Sequence, residues 1–223
     1  CGARLTTNMG RIGGFERDFS KSAFDKIDVI VKELPKALQE FEKLVIRNRI
    51  FMDRTINVGG ISGERALEYG FTGPNLRAAG VDYDVRVMNP YCSYQDFDFT
   101  IPVGSNGDTY DRFCVRQEEM WQSLSIIKQA IKNLPEGKHH ADVPEFYLPP
   151  KDDVYNSMEG LIWHFKIVMG EINVPKGQVY HSVEGGNGEL GFYLVSDGGR
   201  QPYRLHMRRP CFIYYQAYPE MIK

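Results

Sequence analysis

Residues 102–134 read PVGSNGDTYDRFCVRQEEMWQSLSIIKQAIKNL, a glycine-rich loop that runs straight into a helix. Phe113, Met120, Leu124, Ile127 and Ile131 fall near one stripe at helical spacing. Asp108 is a good N-cap, and Asp111 sits where the first turn leaves N–H groups unsatisfied. Arg112, Arg116, Glu118 and Glu119 follow within two turns. A capped amphipathic helix with local ion pairs explains this pattern, and so does a charged network supporting the wall of a site. The stretch predicts a helix but does not name a function.

Upstream, Tyr91, Tyr94, Phe97 and Phe99 give an aromatic, extended segment. Residues 57–80 hold six glycines (Gly59, Gly60, Gly63, Gly70, Gly73, Gly80) and predict turns with at most one or two helical turns. No G-x-x-x-x-G-K-[ST] or G-x-G-x-x-G occurs there, so a nucleotide site is not expected. A long helix begins near Lys21, capped by Ser20 or Ser22. Phe24, Ile27, Val31, Leu34, Leu38, Phe41 and Val45 recur at alternating steps of three and four, as in a helix laid on a helical core. Pro35 should kink or split it. Before that helix, Gly10-Arg11-Ile12-Gly13-Gly14 marks a backbone that bends or is closely approached.

Downstream, Leu134-Pro135-Glu136-Gly137 is a stop signal, and His139-His140 reads as surface. A third helix is expected over 151–171, with a stripe of Val154, Met158, Leu161, Phe165 and Val168 and with His164 as a packing residue. From Gly177 the period switches to two. Residues 178–183, 189–196 and 203–208 read as strands joined by glycine-rich turns, an antiparallel meander. On the third strand Arg204, His206 and Arg208 should form a basic face and Tyr203, Leu205 and Met207 a buried one. The fold class is therefore mainly α with a small antiparallel β-meander, α+β. One domain is expected over 1–223, with a helical body over 1–172 and the meander over 177–210.

The 223 residues carry 27 Lys plus Arg against 29 Asp plus Glu, a net charge of −2. So weak a field argues against a chain that grips nucleic acid or an anionic membrane. No run of about 18 apolar residues exists, so no transmembrane segment is expected. Cys1, Cys92, Cys114 and Cys211 form no C-x-x-C pair, which leaves neither a disulfide framework nor a metal site in prospect. No leader-like segment opens the chain, so export is not expected. A start at Cys1 reads as a piece of something longer.

The order of short motifs is more specific than any periodicity. Gly2-Ala3-Arg4, Arg11-x-Gly13-Gly14 and Asn48-Arg49-Ile50-Phe51 with Arg54-Thr55 come first. Ala66-Leu67-x-Tyr69-Gly70-Phe71-x-Gly73 and Pro90-Tyr91 follow. Then come Pro102-Val103-Gly104-x-x-Gly107-Asp108-x-Tyr110-Asp111-Arg112-Phe113 and Arg116-x-Glu118-Glu119-Met120. Ser157-Met158-Glu159-x-Leu161-Ile162-x-His164-Phe165-Lys166, Gly188-Glu189-x-Gly191-x-Tyr193-Leu194-Val195-Ser196-Asp197-Gly198 and Pro202-Tyr203-Arg204 complete the series. Together, over essentially the whole chain, they resemble the 49-kilodalton or D-type subunit of respiratory complex I (NADH:quinone oxidoreductase).

That resemblance implies a fold related to the nickel–iron hydrogenase large subunit. It implies work inside a multisubunit, ion-translocating complex, peripheral on the cytoplasmic side of the inner membrane. The implied partners are the other complex I subunits, above all the small cluster-bearing quinone-side subunit. Together the two would form the quinone cavity beside a terminal tetranuclear iron–sulfur cluster that the neighbour holds. No cofactor or metal is expected on this chain, no catalytic residue of the family falls within it, and alone it should be inactive. Arg4, Thr6 and Arg11 are implied to lie near the cluster and cavity. Asp108, Asp111, Arg112, Arg116 and Glu119 are expected to be a supporting charged network. Many members carry a histidine where Leu5 and Thr6 stand here. Threonine does not titrate near neutral pH, which implies a cluster potential nearly independent of pH and fits a low-potential quinone such as menaquinone. The large subunit of a complex-I-related membrane-bound hydrogenase, or a non-catalytic assembly paralogue, remain alternatives.

Overall fold

The computed structural model describes residues 9–143, 146–170 and 174–222. Two short strands, β1 (Gly10–Arg11) and β2 (Gly14–Phe15), pair antiparallel. Then come α1 (Lys21–Phe41), α2 (Arg49–Thr55), α3 (Gly63–Glu68), α4 (Gly73–Ala78), α5 (Val85–Met88) and α6 (Thr109–Lys132). The helices α7 (Lys151–Asn156) and α8 (Met158–Val168) precede strands β3 (Gly177–Gly185), β4 (Gly188–Ser196) and β5 (Arg204–Arg208), which pair in the order β3–β4–β5. The two-residue Gly186-Asn187 link between β3 and β4 fits only antiparallel neighbours. Short helices α9 (Pro210–Tyr214) and α10 (Tyr218–Met221) follow. The mixed helical chain with small antiparallel sheets matches the α+β expectation.

The chain divides into two compact units. One comprises residues 1–25, 135–179 and 194–205, the other residues 26–134, 180–193 and 206–223. In the second unit the core is built from short helices. Ile61, Ala66, Phe71, Leu76 and Ala217 form its buried cluster, with Tyr69, Val81, Tyr214 and Met221 packed around them. This core lies in the glycine-rich stretch, where glycines let backbones meet. Gly73 has φ +62°, and a Cβ there would sit 2.2 Å from the Cα of Gly188. Gly107, at φ +64°, would place a Cβ 2.1 Å from the carbonyl oxygen of Ile61.

Local signals carried α1 and α6. The Asp108 side chain accepts from the Asp111 N–H at 2.8 Å and caps α6. Ser20 accepts from Ala23 N–H at 3.3 Å at the start of α1. The α1 stripe is its less exposed side, with Leu38 fully buried. α1 continues through Pro35, and the regular α geometry gives way later, in a π turn over Glu42–Ile46. On α6 the buried positions are Val115, Gln117 and Leu124, whereas Met120 and Ile127 of the expected stripe are about 40% exposed.

Two further expectations are corrected. The third helix is broken at Ser157, whose extended backbone (φ −129°, ψ 134°) ends α7 while its hydroxyl accepts from Gly160 N–H to cap α8. A Cβ at Gly160 would lie 2.5 Å from the Asp153 carbonyl oxygen, so this corner needs glycine. The expected stripe there is largely exposed, Met158 at 73% and Phe165 at 59%, while Val154, His164 and Ile167 are the less exposed side chains. On β5 the face expected to be buried is not buried, and of the expected basic face only Arg208 turns inward while Arg204 and His206 are exposed. Tyr203 is 75% exposed and Leu205 and Met207 nearly half exposed, while Arg208 is the inward residue. Its guanidinium donates to the carbonyl oxygens of Glu189 and Gly70, both at 2.8 Å.

A Gly73→Ala substitution should cost about 2 kcal/mol or more, from forced backbone separation and a left-handed φ. Urea unfolding of the full-length subunit, compared with the mild cost of Gly60→Ala where the added methyl meets nothing within 4 Å, checks this.

Candidate functional site

The second unit holds a buried cluster of charge centred on Arg77, whose side chain is 1% exposed. One guanidinium nitrogen, Nη1, reaches Asp84 Oδ2 at 3.2 Å, Glu184 Oε1 at 3.1 Å and the Tyr83 carbonyl oxygen at 3.0 Å. The other, Nη2, donates to Glu119. Arg86 pairs with Asp84 at 2.7 Å, stacks over Phe99 at 5.0 Å, and so covers the cluster with its own charge. The Nε of Arg77 is buried without a hydrogen-bond partner among the described residues.

Each carboxylate is delivered by a different local device. Asp84 is the N-cap of α5 and accepts from Arg86 N–H at 2.8 Å. Glu119 stands on the third turn of α6. Glu184 lies near the end of β3, accepts from Val85 N–H at 3.3 Å, and its own N–H donates to the Tyr91 hydroxyl at 2.8 Å. Burial raises the Glu184 carboxyl above its ordinary range, opposed by the Arg77 charge and reinforced by Asp84. A neighbouring polar group in the same unit shows the same physics. Burial and the Glu189 carboxylate, 2.7 Å from its hydroxyl, push the Tyr180 phenol up to about 12.

Glu119 carries this cluster outward. It lines a cavity of about 440 Å³ with Phe41, Phe113 and Met120 as apolar walls and Arg116, Gln117 and Ser123 as polar ones. The size falls within the range of small-molecule sites. Phe41, Phe51 and Phe113 pack ring on ring behind it, at centroid distances of 5.9 Å and 4.8 Å.

The five residues of the expected network take different parts. Glu119 pairs with Arg77, a partner that sequence reasoning missed. Asp108 caps α6 and also accepts from Asn57 N–H at 2.8 Å. Asp111 accepts from the Ser105 and Asn106 N–H groups at 2.9 Å and 2.7 Å. Arg112 donates to the carbonyl oxygens of Gly59 and Gly107 and to the Thr109 hydroxyl. Arg116 donates to the Arg112 carbonyl oxygen and to Asn75 Oδ1. No salt bridge joins any two of the five among the described residues. A signal for Arg77 existed in the sequence, a charged residue in the short Gly73-to-Ala78 helix with Asp84 seven residues on, but its other two carboxylate partners lie 42 and 107 residues away.

A family model described as the 49 Kd subunit of respiratory-chain NADH dehydrogenase matches residues 1–223. The chain belongs to that family. It is 76% identical to a D-type NADH-quinone oxidoreductase subunit of Cytophaga hutchinsonii, with all of this chain covering 58% of that protein. It is 72% identical to the D-type subunit of Flavobacterium johnsoniae and 58% identical to that of Leptospira biflexa, covering 54% and 55% of them. The chain thus spans a little over half the length of these relatives.

Of the residues that the family resemblance places near a cluster, Arg4 and Thr6 lie outside the described residues. Arg11, in the first unit, pairs with Glu16 at 2.9 Å and is exposed. With Phe15, His140, Tyr147 and His164 it lines a larger cavity of about 880 Å³. The Gly13-Gly14 turn beside it is approached closely, as its sequence suggested: a Cβ on Gly14 would meet the His139 carbonyl oxygen at 2.4 Å. His140 is half-buried rather than free on the surface, its ring 4.8 Å from that of Tyr147. Among the described residues no three His, Cys, Asp or Glu side chains are grouped to hold a metal ion.

Because the folded state raises the Glu184 pKa, it binds more protons than the unfolded chain just above about pH 4.3. The stability contribution of this group therefore falls as pH rises from there through the raised value. Urea unfolding of the full-length subunit should show Glu184→Gln gaining on the parent between pH 4.5 and pH 7; a constant difference would contradict the assignment.

Proposed function

We propose that this chain is the part of a complex I quinone-side subunit that stiffens one wall of the quinone-reduction cavity. Family membership supports the assembly part of this reading, in which the chain belongs to a peripheral-arm subunit of an NADH:quinone oxidoreductase at the cytoplasmic face of the inner membrane. In it, electrons derived from NADH reach a quinone beside a tetranuclear iron–sulfur cluster held by the small neighbouring subunit, coupled to ion translocation. The fold relation to the nickel–iron hydrogenase large subunit belongs to the same reading. The observation that carries the part assigned to this chain is Glu119, which faces an apolar-walled cavity while its carboxylate is tied to a buried arginine.

The wall works by being fixed. Arg77 binds carboxylates from α5, α6 and β3 at once, so none of these elements shifts alone. A flat apolar head-group beside rings such as Phe41 and Phe113 is then oriented by packing, and water is excluded by the same walls. The Asp108 and Asp111 caps and the Arg112 and Arg116 bonds hold the N-terminal end of α6 in register with the loops that precede it. These residues position the wall and do not themselves transfer protons.

In the intact complex, Glu119→Gln should lower kcat/KM for quinone at least about tenfold, one step of 1.4 kcal/mol. NADH oxidation by ferricyanide, which needs no quinone cavity, should be unchanged. Full quinone reductase activity in an assembled variant would sink the reading. The absence of a titratable side chain at Leu5 and Thr6 leads to a separate expectation: a redox titration of the terminal cluster should give a slope far below about 59 mV per pH unit, the value for a one-electron, one-proton couple.

A further inference from the structure

The turn between β3 and β4 reads Gly185-Gly186-Asn187-Gly188, and three of these four residues are accounted for by their contacts. Gly188 has φ +127°, and a Cβ there would lie 2.8 Å from Thr72 Oγ1. A Cβ on Gly185 would press on the Gly188 carbonyl oxygen at 3.2 Å. The Asn187 carbonyl oxygen accepts from the Tyr214 hydroxyl at 2.7 Å. Gly186 has no such reason. Its φ lies outside the left-handed range, and a Cβ there would meet nothing within 4 Å. It belongs to neither strand, and its N–H and C=O form no hydrogen bond among the described residues. A glycine so placed costs backbone entropy without relieving any clash.

Gly10, Gly60 and Gly177 are equally free of neighbours. What sets Gly186 apart is its place: it lines the 440 Å³ cavity whose other walls all come from α1 and α6. It is exposed, so it stands at the cavity's mouth. The separation between this turn and α6 is fixed by Arg77. Glu184, two residues before Gly186, is held on one guanidinium nitrogen, and Glu119 of α6 on the other. Tyr214 holds the far side of the turn through Asn187. Neither wall can shift alone to fill the gap that a missing side chain leaves, so the room at position 186 persists.

We infer that Gly186 is the residue that sets how wide a head-group this cavity admits. Bare backbone at a cavity mouth is what a closely approaching ligand needs. With no side chain there, a planar two-ring head-group can lie across the turn, and the Gly186 N–H is free to donate to a ring carbonyl oxygen. A one-ring head-group fits without using that room. The inference rests on the reading of this cavity as part of a quinone wall, and adds what the wall selects.

The test is a size series in the intact complex. Gly186→Leu, Gly186→Ala and the parent are compared on a one-ring benzoquinone and a two-ring naphthoquinone with the same short side chain. NADH oxidation by ferricyanide sets the amount of assembled enzyme. Gly186→Leu should lower kcat/KM for the naphthoquinone at least about tenfold more than for the benzoquinone, mostly through KM, the scale of steric discrimination in an apolar pocket. Gly186→Ala should move the same ratio in the same direction by less, and it carries the test if the leucine variant does not assemble. Equal losses on the two quinones, or no loss in assembled complexes, would overturn the inference. Glu119→Gln tells the two failures apart. If it leaves quinone turnover intact, the cavity reading falls and this inference falls with it. If it lowers turnover while the Gly186 series shows no discrimination by size, only this inference falls.

Discussion

Burying a guanidinium costs several kcal/mol unless its charge and its donors are met, and this requirement organises the second unit around Arg77. Its three carboxylates come from the cap of α5, the third turn of α6 and the end of β3. No local propensity brings those segments together. The cluster therefore acts as a meeting condition: a packing that misplaces any one element leaves a buried charge uncompensated, at a cost of about 3–5 kcal/mol. Counting Arg86, two cations face three carboxylates, so one negative charge is in excess. The raised pKa of Glu184 is where that excess and its burial show.

Close approach of the backbone is what allows so short a set of helices to seal the cluster. Gly73 lets α4, which carries Arg77, abut the turn into β4, and Gly107 lets the loop before α6 lie on the Ile61 carbonyl. Both glycines have φ values that suit only glycine well, so close packing and backbone conformation select the same residue. Most buried apolar residues beside them are small or medium, Ala66, Ala78, Leu76 and Val85, with Phe71 the large exception.

What was legible in the sequence follows from which forces are local. Asp108 as a cap, Ser20 as a cap, the α1 stripe and the glycine turn between β3 and β4 all depend on residues a few positions apart, and all were readable. The motif order named the family from the same letters. Arg77 was not readable because two of its three carboxylate partners are distant in the chain and an arginine in a short helix looks like a solvated one. The β5 faces were mis-assigned for a related reason. Alternation tells which residues share a face, but not whether a face is covered; both faces of β5 are largely exposed, and Arg208 alone finds three carbonyl or hydroxyl acceptors, on Gly70, Glu189 and Thr72, that reward turning it inward. The break at Ser157 hid inside a continuous helical period, because a capping serine within such a period reads equally well as a solvent-facing one.

The arginines of the second unit separate two kinds of stabilisation. Arg77 is held by three carboxylates of its own chain and by the Tyr83 carbonyl oxygen, with its Nε left unpaired among the described residues. Arg112 and Arg116 are answered by carbonyl, hydroxyl and amide oxygens, which satisfy donors but not charge. Hydrogen bonds to neutral acceptors position a guanidinium, whereas only an anion repays the loss of its hydration at low dielectric. Arg77 gives up nearly all of its hydration and is met by three carboxylates, whereas Arg112 and Arg116, only half-buried, keep part of theirs and use neutral acceptors for position.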